Sequence, residues 1–383
     1  MGKDYSLTMD FPLGHHLRDL PGPVLLTGHT GFKGTWMTYL LEYMKIPVIG
    51  YSLEAEKDSL FDRANRTGRI PEIFADIRDY EALEHFIDSQ KPSTVIHMAA
   101  QPLVLKSYEK PRETFDVNVM GTVNILDIAF KKDFVKSIII VTTDKVYKNN
   151  NSRNKFVESD PLEGKDPYSA SKVGTEAVVV AWQQIAKVFK GPKIASVRAG
   201  NVIGGGDYAK DRIIPDLIRG IIEGKEIEIR NPESTRPWQH VLDPLTGYLM
   251  LLEKLVQGLE IQSLNFGPGE TGSTVRELIV GAEKMIDTSN TKIIFRENNQ
   301  TKKILESLNL NLNSDSAEKI LGWVNSCEQM NALRLTLEWW DSVLTKRKDA
   351  SEVTLNQVRN FIDNLKPISS IANQEKHREG RLN

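Results

Sequence analysis

Cysteine is nearly missing from this chain: Cys327 is the only one in 383 residues. That excludes an internal disulfide framework and fits a reducing compartment, the cytoplasm. Long apolar runs are missing too, since none approaches the ~20 residues of a membrane-spanning helix. The opening residues carry Lys3, Asp4 and Asp10, followed by His15 and His16, and form no apolar signal core. Neither sign of charge dominates. Lys and Arg number 49 against 51 Asp and Glu, a net charge of −2, so no basic field favours nucleic acid. The seven histidines show no HExxH or paired-cysteine spacing, so no metal site is expected. No internal repeat is evident. The remainder, 40% hydrophobic and 26% charged, describes an ordinary globular protein with ample core for one large or two modest domains.

Against this background three short segments stand out. In Asp166-Pro167-Tyr168-Ser169-Ala170-Ser171-Lys172, a tyrosine and a lysine sit four apart at a helix start, on one face. An ammonium beside a phenol favours phenolate, turning a group with a reference pKa of about 10 into a usable base. Near the amino end, the apolar run 23–27 leads into Gly28-His29-Thr30-Gly31-Phe32-Lys33-Gly34 and then an amphipathic stretch to Met44. A strand, a glycine turn and a helix amino end make a phosphate cradle. The spacing is G-x-x-G-x-x-G. The third segment, Ile138-Ile139-Ile140-Val141, reads as a buried parallel strand that delivers Thr142, Thr143, Asp144 and Lys145 at its carboxyl end.

The alternation of elements predicts an α/β protein built on a Rossmann-type doubly wound parallel sheet, followed by a smaller mixed α/β region. Strands are expected at 23–27, 47–51, 71–74, 94–97, 137–142 and 194–198, and helices at 33–44, 79–89, 111–131 and 168–188. Beyond Gly204-Gly205-Gly206 helices are expected near 213–223, 244–256, 274–286 and 328–347, with short strands near 226–230, 262–266 and 292–295. Residues 1–21 read as a loosely packed leader, 22–200 as the dinucleotide domain with later segments returning to it, 201–350 as mainly substrate-binding, and 351–383 as a C-terminal helix and polar tail.

On these motifs the chain resembles the extended short-chain dehydrogenase/reductase family over roughly residues 22 to 345. Within it the pattern is similar to that of the CDP-glucose 4,6-dehydratases, through GHTGFKG (28–34), TTDKVY (142–147), DPYSASK (166–172), VRAGNVIGGGD (197–207) and RPWQHV (236–241). Dehydratases acting on dTDP-glucose usually carry Thr-Asp-Glu where this chain has Thr143-Asp144-Lys145. The resemblance implies transient oxidation at C4 of a nucleotide-linked hexose, elimination of water across C5–C6 and hydride return to C6. It implies Tyr168 and Thr143 at the C4 oxygen, Lys172 holding the phenolate and the nicotinamide ribose, Asp144 as the acid for the 6-hydroxyl, and Lys145 in the place of the family's glutamate base. As an ammonium, Lys145 must lose its proton or act by charge alone.

NAD is the cofactor implied, contacted by Gly28, Thr30, Gly31, Phe32, Lys33, Gly34, Asp76, Ile77, Ala99, Ala100, Gln101, Asn118, Thr142, Tyr168 and Lys172. No acidic residue follows the second strand at Gly50-Tyr51-Ser52 to bind a ribose diol, and His29 or Lys33 could approach a 2′-phosphate, which keeps NADP open. Asn201, Asp207, Arg212, Arg236 and His240 are expected to hold the nucleotide sugar. Tyr147 is a further candidate for proton relay. The family also implies a homodimer through helices 111–131 and 168–188. A 4-epimerase sharing the Tyr168/Lys172 pair, a dehydratase of another nucleoside-diphosphate hexose, and a non-enzymatic nucleotide-binding scaffold are the alternatives.

Overall fold

Six apolar runs between residues 24 and 199 become parallel strands: β1 Val24–Thr27, β2 Val48–Ser52, β3 Glu72–Phe74, β4 Thr94–His97, β5 Ser137–Val141 and β6 Lys193–Ala199. In β1, β2, β4 and β5 every residue is buried, as expected for strands covered on both faces by helices. This computed structural model describes residues 13–149, 155–209, 212–269, 272–286, 291–296 and 310–365. The residues beyond 365, expected as a polar tail, lie outside that range.

A seventh strand, Ser263–Phe266, pairs in parallel with β6 and gives the sheet order Ser263–Phe266, β6, β5, β4, β1, β2, β3. The sequence places this strand with the smaller region, while expecting later segments to return to the dinucleotide domain. Its burial against β6, with Leu264 and Phe266 fully covered, returns the chain to the main sheet. The sheet is built outward from β1 to β3, then restarts at β4 on the other side of β1. That reversal opens a crevice at the carboxyl ends of the strands, where α/β sheets bind ligands. The turn 28–34 and the exits of β4, β5 and β6 all face it.

Helices Phe32–Tyr43, Tyr80–Gln90 and Pro167–Phe189 fall where the apolar periodicity places them. The run at 111–131 is instead a helix Pro111–Phe115, a π-helical turn Asp116–Met120 and a helix Gly121–Phe130. The wider turn leaves the Asn118 carbonyl free to accept from the hydroxyls of Thr122 (2.7 Å) and Thr175 (2.9 Å). Thr175 comes from another helix, so no local pattern signals the bulge.

The leader is not loose over its described part. Leu13 and Leu17 are buried, and the Glu253 carboxylate accepts from the backbone N–H of Gly14 (2.8 Å) and His16 (2.9 Å). Glu253 belongs to helix Leu242–Val256, which carries Leu245, Tyr248, Leu249 and Leu252 into the centre of the core. At that helix's start, the Asp243 carboxyl accepts from Ser326 N–H (2.6 Å), and the Asp243 carbonyl accepts from the Trp323 indole (3.0 Å). Burial pushes the Asp243 carboxyl up to about 8 against the backbone N–H groups of Ser326 and Cys327. The folded protein therefore keeps a proton there that the unfolded chain loses above about 4. This contribution to stability is complete at low pH and is lost as pH rises towards about 8. We expect Asp243→Asn to flatten that part of the stability–pH curve, with a gain at pH 8 over wild type on the order of 1–3 kcal/mol by denaturant titration.

Candidate active site

The glycines of the first turn are required by close packing. Gly28 adopts φ 73°, and a Cβ on it would lie 2.8 Å from Ala99 N at the exit of β4. A Cβ on Gly34 would lie 2.0 Å from the Gly28 carbonyl oxygen. Gly31 is exposed and caps helix Phe32–Tyr43 without a side-chain acceptor, so the amino end of a twelve-residue helix faces the crevice. Thr30 ties the turn to the end of β2, through Ser52 Oγ (2.7 Å) and the Leu53 carbonyl (2.9 Å).

His29 and Lys33 are both engaged inside the protein. The His29 ring is buried over Gly50, where a Cβ would come within 2.6 Å, and its Nε2 meets Glu72 Oε2 at 2.7 Å. Lys33 turns inward, its ammonium 3.5 Å from the Tyr248 hydroxyl.

At the exit of β4, Thr27 Oγ1 accepts from the N–H of Met98 and Ala99 (both 3.1 Å), so its own proton goes to His97 Nδ1 (2.7 Å). Burial, helped by the Lys172 charge, pushes His97 down to about 3 and keeps it neutral. Asn118 grips Gln101 on both sides: Oδ1 accepts from Gln101 N–H (2.8 Å), while Nδ2 donates to the Gln101 carbonyl (3.1 Å) and Ser171 Oγ (2.9 Å). Ala99-Ala100-Gln101 is thereby fixed along the crevice. Asp76 lies farther out, its carboxylate already bidentate to Arg78 (3.0 and 2.7 Å), while Ile77 packs on Gly121.

Helix Pro167–Phe189 starts where the sequence dictates. Asp166 and Ser169 form a reciprocal capping box and Pro167 fills the first turn. This sets Tyr168 and Lys172 in the first two turns, facing the exit of β5. Lys172 Nζ donates to the Val141 carbonyl (3.1 Å), and Thr142 Oγ1 donates to Glu176 Oε1 (2.6 Å). Thr143 Oγ1 donates to Asp144 Oδ1 (3.0 Å) and stands beside the Tyr168 phenol, whose pKa it lowers.

The charges here are dry. Burial raises the Tyr168 phenol to about 12, opposed by the Thr143 hydrogen bond and the Arg212 charge. Lys172 falls to about 8 through burial, with Glu176 pulling the other way. The expectation that the phenol is eased towards phenolate meets an opposing effect in the protein by itself: burial outweighs the help of Thr143 and Arg212. Asp144 is buried and raised by desolvation, against Lys145, Thr143, Arg236 and Lys33. Lys33 is lowered to about 8 by desolvation and by Arg212, with Asp144 opposing. These mutual effects place Thr143, Asp144, Tyr168, Lys33, Arg212 and Arg236 around one cleft.

Among the expected sugar-nucleotide residues, Arg212 is held by Asp207 (2.9 Å), whose charge raises the guanidinium's pKa further. Asn201 lies at the cleft's edge, its carbonyl accepting from Gln239 N–H (3.2 Å). His240 stands apart. It is buried between Trp36 and Phe361, and burial pushes it down to about 3, so its place is in the aromatic packing. Tyr147 likewise serves the core, stacked on Phe156 with its hydroxyl donating to Asn265 Oδ1 (2.7 Å).

Three residues went unnoticed in the sequence. Tyr248 is buried under Lys33, within the field of Asp144 and Tyr168, and gives no local signal in its leucine-rich helix. Glu176 and Arg198 form a buried ion pair. Glu176 had a signal, since it follows Lys172 by four residues on the same helical face.

The cleft fits a dinucleotide. It has a glycine turn that Cβ atoms would block, an uncapped helix amino end, small residues at the β4 exit and a lysine amine beside a tyrosine. The NAD dependent epimerase/dehydratase family model matches residues 24–267. A CDP-glucose 4,6-dehydratase of Salmonella typhimurium is 44% identical, covering 69% of this chain and 75% of that protein. A UDP-glucose 4-epimerase of Pisum sativum is 26% identical over 78% of this chain and 90% of its own length. Among solved structures, dTDP-glucose 4,6-dehydratase from Streptomyces venezuelae with NAD bound superposes with TM-score 0.71 at 24% identity, covering 85% of this chain and 98% of that one. The UDP-glucose 4-epimerase of Thermotoga maritima with UDP-glucose gives 0.72 at 22%, covering 84% and 99%. With the crevice built as its sequence motifs require and the family model matching well over half its length, the chain belongs to the NAD dependent epimerase/dehydratase family.

Proposed function

We propose that this protein is an NAD-dependent hydro-lyase that converts CDP-glucose to CDP-4-keto-6-deoxyglucose and water. The observation that carries the reading is Asp144: a carboxyl buried at the strand exit, held towards its protonated form, and one residue from the hydroxyl that meets Tyr168. A 4-epimerase needs the tyrosine, threonine and lysine but has no leaving hydroxyl to protonate. The similarity to the Salmonella enzyme supports CDP-glucose as substrate.

NAD bound in the crevice supplies the hydride acceptor for C4 and the donor for C6. Gly28, Gly31 and Phe32 would approach its pyrophosphate, and Ala99, Ala100, Gln101 and Lys172 its nicotinamide ribose. Tyr168 takes the proton of the C4 hydroxyl, with Thr143 bonded to the same oxygen and Arg212 and Lys172 providing the positive field. The C4 ketone acidifies C5–H. Asp144 protonates the departing C6 oxygen, Lys145 in its neutral form takes the C5 proton, and the ammonium so formed returns a proton to C5 when hydride reaches C6. Arg212 and Arg236 grip the diphosphate. The two guanidiniums enter the same cleft from separate segments, which suits a ligand with several anionic oxygens.

No helix among the described residues is long and apolar enough to cross a membrane. We place the enzyme in the cytoplasm, as a homodimer. Phe115 and Met120 are exposed, as are Ala177 and Ala181 of the catalytic helix, and together they supply both apolar and small side chains for the helices of two copies to meet. Met120→Asp is expected to convert the dimer to monomer in analytical ultracentrifugation.

The direct test incubates the protein with CDP-glucose and follows the alkaline absorbance of a 4-keto-6-deoxy product; a 4-epimer, or no product, contradicts the reading. Tyr168→Phe should lower kcat by about 100- to 10,000-fold with NAD binding retained. Lys145→Ala should still reduce NAD on mixing with substrate, yet lose the 6-hydroxyl about 100-fold or more slowly. Unchanged product formation in that variant removes Lys145 from the mechanism.

A further inference from the structure

We propose that Glu176 and Arg198 are positioning residues for the Tyr168–Lys172–Thr143 site, locking the β5 exit to the catalytic helix and setting the charge that Lys172 feels. The inference rests on the reading of that site as catalytic.

The two side chains meet as a bidentate pair. Arg198 Nε donates to Glu176 Oε1 and Nη2 to Oε2, both at 2.9 Å, and each residue is almost fully buried. The remaining valences are filled with equal care. Glu176 accepts from Thr142 Oγ1 (2.6 Å) just beyond β5 and Ser196 Oγ (2.7 Å) on β6. Arg198 Nη1 donates to the Tyr147 hydroxyl (2.9 Å) and the Glu158 carbonyl (3.1 Å). Two side chains therefore tie down both ends of the catalytic segment 142–147. The first tie is at Thr142, immediately before Thr143; the second is at Tyr147, two residues after Lys145.

Spacing on the helix gives the arrangement its consequence. Tyr168, Lys172 and Glu176 follow at single-turn intervals, and each meets one of three consecutive residues of β5 and its exit: Thr143, Val141 and Thr142. A slip of the helix would move all three contacts together. Burial disfavours the Glu176 carboxylate, but Arg198 and the two hydroxyls outweigh it and hold its pKa below the usual range. That fixed negative charge lies one turn from Lys172 and favours its ammonium form. The other ionisable groups around Lys172 are Tyr168 on its own helix, neutral His97 on β4 and Lys33 from the glycine turn, with Arg198 on β6 beyond Glu176.

Removing the negative charge lowers proton affinity at Lys172 and at Tyr168. Glu176→Gln should thus move the pH–rate profile for CDP-glucose dehydration to lower pH by about one unit. In protein with carbon-labelled lysine, the Lys172 resonance, identified with Lys172→Arg, should titrate lower by a similar amount. Arg198→Lys keeps the charge but not the fork. Its profile should stay in place while kcat drops about 10-fold and KM for CDP-glucose changes less than about threefold. Should Glu176→Gln not fold, Glu176→Asp provides the same test with charge retained: an unmoved profile with kcat reduced about 10-fold. A merely structural pair would lower melting temperature while leaving kcat and the Lys172 titration at wild-type values, and that result overturns the proposal. A wild-type protein inactive on CDP-glucose would sink the proposed function, whereas the lysine titration would still decide this inference.

Discussion

Desolvation is the constraint on which the rest of the cleft depends. A phenol, a carboxyl and two ammonium groups are buried together at the carboxyl end of a parallel sheet, and each is driven towards its neutral form. For Asp144 this is the state needed by an acid that must protonate a poor leaving group. For Tyr168 it is the wrong state at neutral pH, so positive charge has to be supplied. Arg212 provides some of it in the protein itself, and the oxidised nicotinamide, when bound, adds more. A site built this way suppresses proton transfer until its ligands are in place.

Holding such groups together requires a stiff frame, because buried polar atoms that lose a partner cost more than their bonds contribute. The frame consists of the two-sided grip of Asn118 on Gln101, the Thr27–His97 bond beneath the glycine turn, and the Glu176–Arg198 pair behind the catalytic segment. None of these groups needs to touch a substrate. They fix the exits of β1, β4 and β5 relative to the helix that carries Tyr168, so that the reacting side chains converge although they come from distant parts of the chain.

How much of this was legible in the sequence follows from what is local. The β-branched run Ile138–Val141, the glycine spacing 28–34 and the capped start at Asp166-Pro167 each carry their structure within a few residues, and each strand and helix built on them appears close to its expected bounds. The π-helical turn at Asp116–Met120 depends on a hydroxyl from Thr175. The seventh strand depends on an edge that β6 leaves open. Neither can be seen along the chain. The raised pKa of Tyr168 is hidden for a similar reason: the spacing to Lys172 is local, but the burial that dominates the phenol is a property of the whole fold. His240 lies inside a segment that resembles a binding motif, yet only its packing between Trp36 and Phe361 reveals that it faces the core.

The central claim is that oxidation at C4 and reduction at C6 share one cofactor within one closed site. The most direct measurement uses CDP-glucose carrying deuterium at C4, with the product examined by mass spectrometry and NMR. The account predicts that the deuterium appears in the C6 methyl group of the same sugar. Deuterium retained at C4, or lost to solvent with none at C6, would contradict it.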